Sequence, residues 1–411
     1  MSNNLFVGID IGSSKNVSVF LDDAGQRIGK ALSFANNYEG AESFMASLVQ
    51  IAKPRLPITI SIGFEATGIY DWQLKSFLFS HPLLTEFNPK LYQINPKQIR
   101  NFKKIYPDLS KTDNIDAFVI ADNLRFGRLP QPVTVDYSYF ALQRLTRHRF
   151  HLMESITAEK TRFLTNLFFK FSNYSKDAPF SNIFGKASSA VILEFCSPEQ
   201  IASMPVEDLA AFIAEKGKNR FSAPINIAQE LQAIIKLSYR LPDPLKESVN
   251  FILASSLGTI RMLESQVKAI DKTIERELKP IKHTLLSVDG LGPVLVAGII
   301  AEIGDISRFH DHAALAKFAG LWWKQHQSGN FEAEETRLAK SGNKYLRYYL
   351  VEAANCLKIH NTIFKAYYAK KYAEVPKHQH KRALVLLARK LVRVIFSLLR
   401  SKKIYELPKT N

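Results

Sequence analysis

The sequence predicts an α/β domain at the N-terminus and a helical remainder. Three extended, apolar-rich runs open the chain, and short turns such as Asp22-Asp23-Ala24-Gly25 separate them, a pattern typical of a meander. Strand-like and helix-like segments then alternate up to residue 126, as in a layered α/β fold. Beyond residue 139 the apolar residues recur almost throughout at helical spacing. The three opening runs are residues 6–12, 16–21 and 26–34.

After the meander we predict a helix, a buried strand, a second helix, a short strand and an amphipathic helix. Their ranges are 39–52, 57–64, 69–79, 90–94 and 115–126. An initial meander followed by this alternation indicates an RNase H-like (RuvC-like) α/β domain.

Three domains are predicted in all. The RNase H-like domain spans 1–130, an all-α connector spans 131–281, and a helical C-terminal domain spans 282–411. In the connector, apolar residues recur at alternating three- and four-residue steps, which predicts a coiled coil. This seam packs either against a second copy of the chain or against an antiparallel helix of the same chain. Its residues are Leu253, Ile260, Leu263, Val267, Ile270 and Ile274.

Basic residues are concentrated at the C-terminal end. The net charge is +17, and such a surplus favours a polyanionic partner. Residues 1–130 are nearly balanced, with 14 Lys and Arg against 12 Asp and Glu, whereas residues 340–411 carry 17 against 3. We therefore expect the C-terminal end to bind nucleic acid.

Cysteine content and hydropathy indicate a cytoplasmic protein. Cys196 and Cys356 are far apart and lack ligand spacing, so neither a disulfide framework nor a zinc site is expected. The polar start gives no sign of a signal peptide. The apolar run 293–301 is too short to span a bilayer, and no membrane association is expected.

Four carboxylates of the predicted α/β domain form the candidate catalytic site. Asp10 lies within the first buried run, where an unpaired charge is costly, so either a divalent metal or a hydrogen bond to its own turn must compensate it. Glu65 ends the neighbouring strand. Asp113 and Asp116 are three residues apart at a helix start and project from one face, although Ser110-x-x-Asp113 is also a capping-box pattern.

Clustered, the four acids carry the charge needed for two Mg²⁺ ions about 4 Å apart, one at the attacking oxygen and one at the leaving oxygen. The opening Asp10-Ile-Gly-Ser13 is also compatible with a sugar-kinase or actin-like ATPase, in which such a loop holds phosphate. That alternative requires a second Gly-rich phosphate loop and an adenosine loop, and the sequence has no convincing candidate for either.

Motifs at both ends of the chain carry a specific resemblance. Asp10 lies in Gly8-Ile-Asp-Ile11, Glu65 in Phe64-Glu-Ala-Thr-Gly68, and the other two acids in Lys111-Thr-Asp-x-x-Asp-Ala117. Together these resemble the DEDD transposases of the IS110/IS1111 insertion-sequence family, the bridge-RNA-guided recombinases. The downstream motifs that continue the resemblance are Leu285-x-x-Val288-Asp-Gly-Leu-Gly-Pro293, Ala301-Glu-Ile-Gly-Asp305, Ala319-Gly-Leu321, Gln327-Ser-Gly329 and Lys340-x-Gly-Asn-x-Tyr-Leu-Arg347.

The resemblance implies that Asp10, Glu65, Asp113 and Asp116 hold Mg²⁺ and that Ser328 is the nucleophile. Outside this setting, Ser328-Gly329 would be an ordinary surface turn. The chain departs from the family pattern at Trp322-Trp323, where a small or Pro-containing pair is usual. It also departs at Ser341, which offers a second hydroxyl where a basic residue is frequent.

Nucleic-acid contacts are predicted around this serine and along the last helix. Gly290-Leu-Gly292-Pro293 predicts a hairpin whose following helix offers its amides to a phosphate, or alternatively a plain helix-packing unit. Arginine and lysine side chains nearby would hold the phosphates. Besides Gly290 and Gly292, the predicted contacts are Lys324, Lys340, Lys344, Arg347, Lys381, Arg382, Arg389 and Arg393.

We therefore expect a transposase that cuts and rejoins DNA through a serine–DNA covalent intermediate, assisted by Mg²⁺. The resemblance implies that a structured RNA selects the target. The protein is expected to act on donor and target DNA at the bacterial nucleoid, and the coiled-coil seam predicts a homo-oligomer, a dimer or a dimer of dimers. The alternative is a RuvC-like endonuclease in which water attacks in place of Ser328.

Overall fold

The computed structural model describes residues 3–66, 68, 70–82, 87–106, 110, 112–133, 136–177, 179–195, 197–323, 327–328, 331–332, 338–339 and 341–406, with the backbone alone at 327, 328, 331 and 332. The chain divides into two compact units, Met1–Tyr137 and Ser138–Asn411. The three-domain division at residues 130 and 281 stays a prediction.

A five-stranded mixed sheet forms the centre of the first unit. Its strands are β1 Asn4–Ile11, β2 Lys15–Leu21, β3 Leu32–Ala35, β4 Thr59–Glu65 and β5 Lys90–Ile94. They lie in the order β3-β2-β1-β4-β5; the first three form an antiparallel meander, and β4 runs parallel to both β1 and β5. The third strand is shorter than predicted, since Arg27 forms only an isolated bridge to Leu21.

Helices cover both faces of this sheet. They include α1 Tyr38–Ala52, α2 Tyr70–Ser80, α3 Pro96–Lys103 and α4 Asp113–Phe126. Helix α3 is absent from the sequence-based predictions, although Asn95-Pro96 is a helix-start signal: the Asn95 side chain accepts a hydrogen bond from the Lys97 amide, and proline occupies the first turn.

Glycines let helix α4 lie directly against the sheet. A Cβ on Gly8 would lie 2.1 Å from the backbone oxygen of Ala117. Gly63, which pairs with Gly8 across β1 and β4, would place a Cβ 2.9 Å from the Leu124 side chain. The opposite face of β1 carries large apolar side chains, which pack into a separate core with α1 and α2; these are Leu5, Val7, Ile9 and Ile11.

The second unit is helical where the structure describes it, apart from the two-stranded sheet β6 Gln327–Ser328 and β7 Phe331–Glu332, which was not predicted. Its helices are α5 Tyr137–Lys170, α6 Tyr174–Asp177, α7 Lys186–Glu194, α8 Pro198–Ser203, α9 Val206–Lys216, α10 Pro224–Lys236, α11 Asp243–Leu278, α12 Pro293–Ile303, α13 His312–Phe318, α14 Lys344–His360, α15 Thr362–Ala373 and α16 Gln379–Ser401. One core joins α12, α14 and α16, and another joins α5 to α7–α11.

The long helices α5 and α11 run antiparallel. Lys160 Nζ lies 2.9 Å from Glu264 Oε1, and Arg149 Nε lies 2.6 Å from Asp271 Oδ1. Between these ion pairs, Val267 of the predicted seam packs against α5. The seam therefore packs against an antiparallel helix of the same chain, which is one of the two arrangements that the sequence left open. Packing against a second copy stays a prediction.

Within the described residues, no helix is both long enough and apolar enough to cross a membrane.

We expect Gly8→Ala to lower the free energy of unfolding by about 1–3 kcal/mol, because the added methyl group overlaps the α4 backbone. Urea denaturation followed by circular dichroism measures this loss. The matched control is Gly258→Ala in α11: Gly258 is exposed, and nothing lies within 4 Å of an added Cβ. Alanine there should stabilise the helix by about 1 kcal/mol. Equal losses in the two variants would contradict the close packing of α4.

Candidate functional site

Two of the four candidate carboxylates lie side by side at the ends of parallel strands. Strands β1 and β4 are paired as far as Ile9 and Phe64, and Asp10 and Glu65 are the next residues on each strand. Gly8 and Asp10 share one face of β1, the face that α4 covers, because side chains alternate along a strand. Ordinary sheet geometry therefore brings the two carboxylates together.

Helix α4 brings the other two carboxylates to the same place. Its N-cap is Thr112, whose hydroxyl accepts a hydrogen bond from the Ile115 amide. The alternative interpretation of Ser110 as the capping-box residue is therefore excluded. Asp113 and Asp116 both belong to the first helical turn, where the helix dipole favours acids. Asp113 lies one turn before Ala117, which contacts Gly8.

The electrostatics of this cluster reflect its crowding. Burial, followed by the charges of Asp116 and Asp113, raises the pKa of Asp10 from 3.8 to about 6. Burial, followed by the charges of Asp10 and Asp116, also raises the pKa of Glu65. All four acids are therefore close enough for the charge on one to disfavour ionisation of another.

Two cations of helix α3, absent from the predicted site residues, oppose this repulsion. Lys103 Nζ lies 2.6 Å from Asp116 Oδ1. Its charge lowers the pKa of Asp10 and of Glu65, and the charge of Arg100 also lowers that of Glu65. Sequence reasoning could have found them from their three-residue spacing, which places Arg100 and Lys103 on one face of a helix that directly follows a strand.

The donor set fits a hard divalent cation, because carboxylate oxygens are the ligands that Mg²⁺ prefers. As the side chains are placed, however, no three Asp, Glu, His or Cys residues in the described part of the chain are close enough together to hold a metal ion. The residues that would hold one are Asp10, Glu65, Asp113 and Asp116, and one of them is engaged by Lys103.

The predicted nucleophile lies in the β6–β7 hairpin of the second unit. The backbone of Ser328 pairs with Phe331, and an isolated bridge joins Trp323 to Leu338 nearer the stem. The Ser328 side chain lies outside the described residues, as do Lys324 and Lys340. The rival hydroxyl residue, Ser341, follows the hairpin in an exposed position.

The base of this hairpin is fixed by a buried carboxylate that the sequence analysis did not single out. The Glu302 side chain is fully buried, and Arg147 donates to both of its oxygens at 2.7 and 2.8 Å. Asn343 Nδ2 donates to Glu302 at 2.6 Å, while Asn343 Oδ1 caps helix α14 through two backbone amides. The Asn343 amide also donates to Phe318 O at 2.7 Å, which closes the loop that carries Ser328.

The predicted phosphate-contacting glycines adopt a turn before helix α12. Gly290 has φ +96°, which favours glycine, and Gly292 is the N-cap, followed by proline in the first turn. A Cβ on Gly290 would lie 3.1 Å from His360 Cβ, so the turn also packs closely against α14. The close packing of this turn is therefore observed, and its contact with phosphate stays a prediction.

The described basic residues of the predicted interface fall into two groups. Lys344, at the start of α14, lies over the Phe150 and Tyr345 rings, and Arg347 donates to a backbone carbonyl. On α16, Lys381, Arg382 and Arg393 are exposed, whereas Arg389 is partly buried and donates to His312 O at 3.2 Å. Arg382 is paired with Glu374 at 3.1 Å.

Comparison with known proteins adds independent findings. Residues 7–171, which include the four acids, match a family model for IS110 DEDD transposases. Residues 282–369, which include Ser328, match the model described as "Transposase IS116/IS110/IS902 family".

Similar curated proteins span nearly the whole chain. One is the "Insertion element IS116 uncharacterized 44.8 kDa protein" of Streptomyces clavuligerus, 24% identical over 98% of this chain and 96% of that protein. Another is the "Insertion element IS900 uncharacterized 42 kDa protein" of Mycobacterium paratuberculosis, 24% identical over 98% of each. The "Transposase for insertion sequence element IS1111A" of Coxiella burnetii is 32% identical over 34% of this chain and 38% of its own length.

Without a divalent metal, Asp10→Asn should stabilise the protein at neutral pH. Because the pKa of Asp10 is higher in the folded state, the folded protein loses stability as the pH rises from about 4 through about 6. Removing the charge should raise the free energy of unfolding by about 1 kcal/mol, after allowance for solvent screening of a half-exposed group. The gain in melting temperature should vanish below pH 3.8, the ordinary pKa.

The control for this variant is Asp23→Asn. Hydrogen bonds from Asn4 lower the pKa of Asp23, so the folded state stabilises the charged carboxylate. Removing this charge should therefore lower the melting temperature at neutral pH. A melting temperature that falls at neutral pH in Asp10→Asn would refute the crowding of the four acids.

Glu302→Gln should lower the free energy of unfolding by about 3 kcal/mol, because it leaves the Arg147 charge without its buried partner. Guanidinium denaturation of the full-length protein, followed through the unfolding of the second unit, measures this loss. Glu264→Gln is the matched control, since it breaks the more exposed pair with Lys160 and should cost under about 1 kcal/mol. Equal losses of unfolding free energy in the two variants would show that the buried Glu302 pair stabilises the fold no more than an exposed pair does.

Proposed function

We propose that this chain, which belongs to the IS116/IS110/IS902 family of insertion-sequence transposases by the matches given above, cuts and rejoins DNA with Mg²⁺ held by four acids and with Ser328 as nucleophile. The observation that carries the proposal is the carboxylate cluster of the first unit. Two strand ends and one helix start supply the four acids, and their charges act on one another. Such crowding, which opposes folding, is typical of a site built for a cation.

The mixed sheet supports an RNase H-like (RuvC-like) assignment for this unit. An antiparallel meander is followed by two parallel strands, and the acids lie on the first strand, on its parallel neighbour and on a helix that covers both. Asp10, Glu65, Asp113 and Asp116 would hold the ions, and four negative charges suit two of them. When bound, Mg²⁺ supplies the positive charge that polarises the scissile phosphate and stabilises the leaving oxygen.

Ser328 attacks the scissile phosphorus in this proposal. Its oxygen forms a bond to phosphorus, the bond from phosphorus to one strand breaks, and that strand leaves with a proton as a free hydroxyl. The serine–DNA phosphodiester conserves the energy of the bond that was broken, so a strand hydroxyl can later attack it and free the serine. Rejoining then needs no external energy source.

Basic groups of the second unit bind the nucleic-acid backbone. Lys344 and Arg347 lie near the stem of the Ser328 hairpin, and Lys381 and Arg393 are exposed on α16. Lys324, Lys340, Arg382 and Arg389 complete the proposed set, together with the amides at Gly290 and Gly292. The concentration of positive charge in residues 340–411 supports partners that include a structured guide RNA as well as donor and target DNA.

The active protein is proposed to be a homo-oligomer, a dimer or a dimer of dimers joined through the long helices. Helix α11 keeps large apolar side chains exposed, including Phe251 at 73% and Met262 at 55%. Exposed apolar groups along one helix favour a protein partner. Because more than 200 residues separate the acids from Ser328, we propose a site composed of residues from two copies.

A water-attacking RuvC-like endonuclease is the second candidate, because the carboxylate cluster alone suffices for hydrolysis. The two candidates differ in Ser328. We expect Ser328→Ala to abolish both recombinant DNA and a denaturation-resistant protein–DNA adduct when protein, its RNA, Mg²⁺ and both DNAs are incubated together. Gel electrophoresis under denaturing conditions detects the adduct.

Three controls accompany this experiment. Ser341→Ala should leave adduct and recombinant intact, and Asp10→Ala should abolish both. Ser328→Ala should still bind RNA and DNA, because its basic residues are unchanged. Recombination by Ser328→Ala would overturn the serine mechanism, and cleavage without an adduct would favour the endonuclease.

A further inference from the structure

Lys103 is placed to act as a counter-cation of the acidic cluster. It is the last residue of α3, whose start is fixed by the Asn95 cap directly after β5. Its ammonium nitrogen lies 2.6 Å from Asp116 Oδ1, and about a quarter of each side chain is exposed, 24% for Lys103 and 27% for Asp116. This pair is thus accessible to ions from solvent.

The ammonium acts on more than its direct partner. Its charge lowers the pKa of both Asp10 and Glu65, so it lies within electrostatic reach of three of the four acids. Arg100, one turn earlier on α3, acts only on Glu65 in this way. Lys103 therefore acts on three of the four acids, on Asp116 by direct contact and on Asp10 and Glu65 through its charge.

One carboxylate of the cluster is already engaged by a cation of the protein. No three metal-ligating side chains of the described residues meet at one position, although four carboxylates crowd the same place. One of the four, Asp116, is held by Lys103. The ammonium thus takes a share of the negative charge that a metal ion would otherwise neutralise.

We propose that Lys103 is a resident counter-cation, which holds Asp116 while no divalent ion is bound and which an incoming ion must displace. This inference rests on the proposed function, since it assumes that the four acids bind a metal. Lysine suits the role better than arginine: its ammonium is a compact charge on a flexible stem, and it makes one contact that can be exchanged.

Two consequences follow. Without Lys103, the acids lose their internal neutralisation, so the metal-free protein becomes less stable. A divalent ion then meets no competing charge, so it binds more tightly. A merely structural surface pair would change neither property by much.

The test is a titration of the full-length protein with Mg²⁺, and separately with Mn²⁺, followed by melting temperature and by calorimetry. Lys103→Met and Lys103→Gln should lower the ion concentration at half-maximal stabilisation by about tenfold, as expected for removal of a unit charge a few ångströms from the ion. Lys103→Arg, which keeps the charge, should stay near wild type. Lys104→Met, which removes the exposed neighbouring charge, should also stay near wild type.

Failure of this inference and failure of the proposed function give different results. Unchanged or weaker ion binding in both charge-removing variants, with a normal wild-type response, overturns the role of Lys103 alone. If neither ion raises the melting temperature of the wild-type protein, so that it titrates like Asp10→Asn, the proposed metal site itself is wrong. Tighter binding in Lys103→Met with no change in Lys104→Met supports the counter-cation.

Discussion

The close approach of helix α4 to the sheet is the constraint on which the acidic site depends. Gly8 and Gly63 face each other across β1 and β4, and Ala117 lies over Gly8 with no room for a side chain between them. Asp10 lies two residues beyond Gly8, and Asp113 lies one turn before Ala117. The packing of small residues therefore sets the separation of carboxylates that would otherwise repel each other, and burial of the surrounding apolar side chains stabilises the arrangement.

Much of this site could be predicted because it follows from local rules. Parallel pairing places Asp10 beside Glu65, and helical spacing places Asp113 and Asp116 on one face. Apart from α3, the order of strands and helices up to residue 126 follows from hydrophobic periodicity. The sequence left the N-cap open, because Ser110 and Thr112 are both good capping residues and only the backbone conformation distinguishes them.

The ion pair of Arg147 with Glu302 could not be predicted, because its partners are remote in sequence. Arg147 and Glu302 are 155 residues apart. From sequence, Arg147 belongs to a basic helix and Glu302 ends an apolar run, so nothing local indicates that they meet. Arg389 was predicted to contact nucleic acid, yet part of its hydrogen-bonding capacity is used on His312 O. Periodicity also left the partner of the α11 seam open, since an antiparallel helix and a second copy bury the same residues.

One ion pair of each unit shows a different use of charge, and geometry explains the difference. Glu302 is fully buried and receives a two-point contact from Arg147 as well as a hydrogen bond from Asn343. Removing Arg147 would leave the fully buried Glu302 carboxylate without its cation, so this pair is a fixed part of the fold. The Lys103–Asp116 pair has one contact and is partly open to solvent. Its opening costs little, because water and ions can replace either partner. Under the proposed function, a permanent pair suits the stem of the hairpin that carries the proposed nucleophile, and an exchangeable pair suits a site proposed to admit a cation.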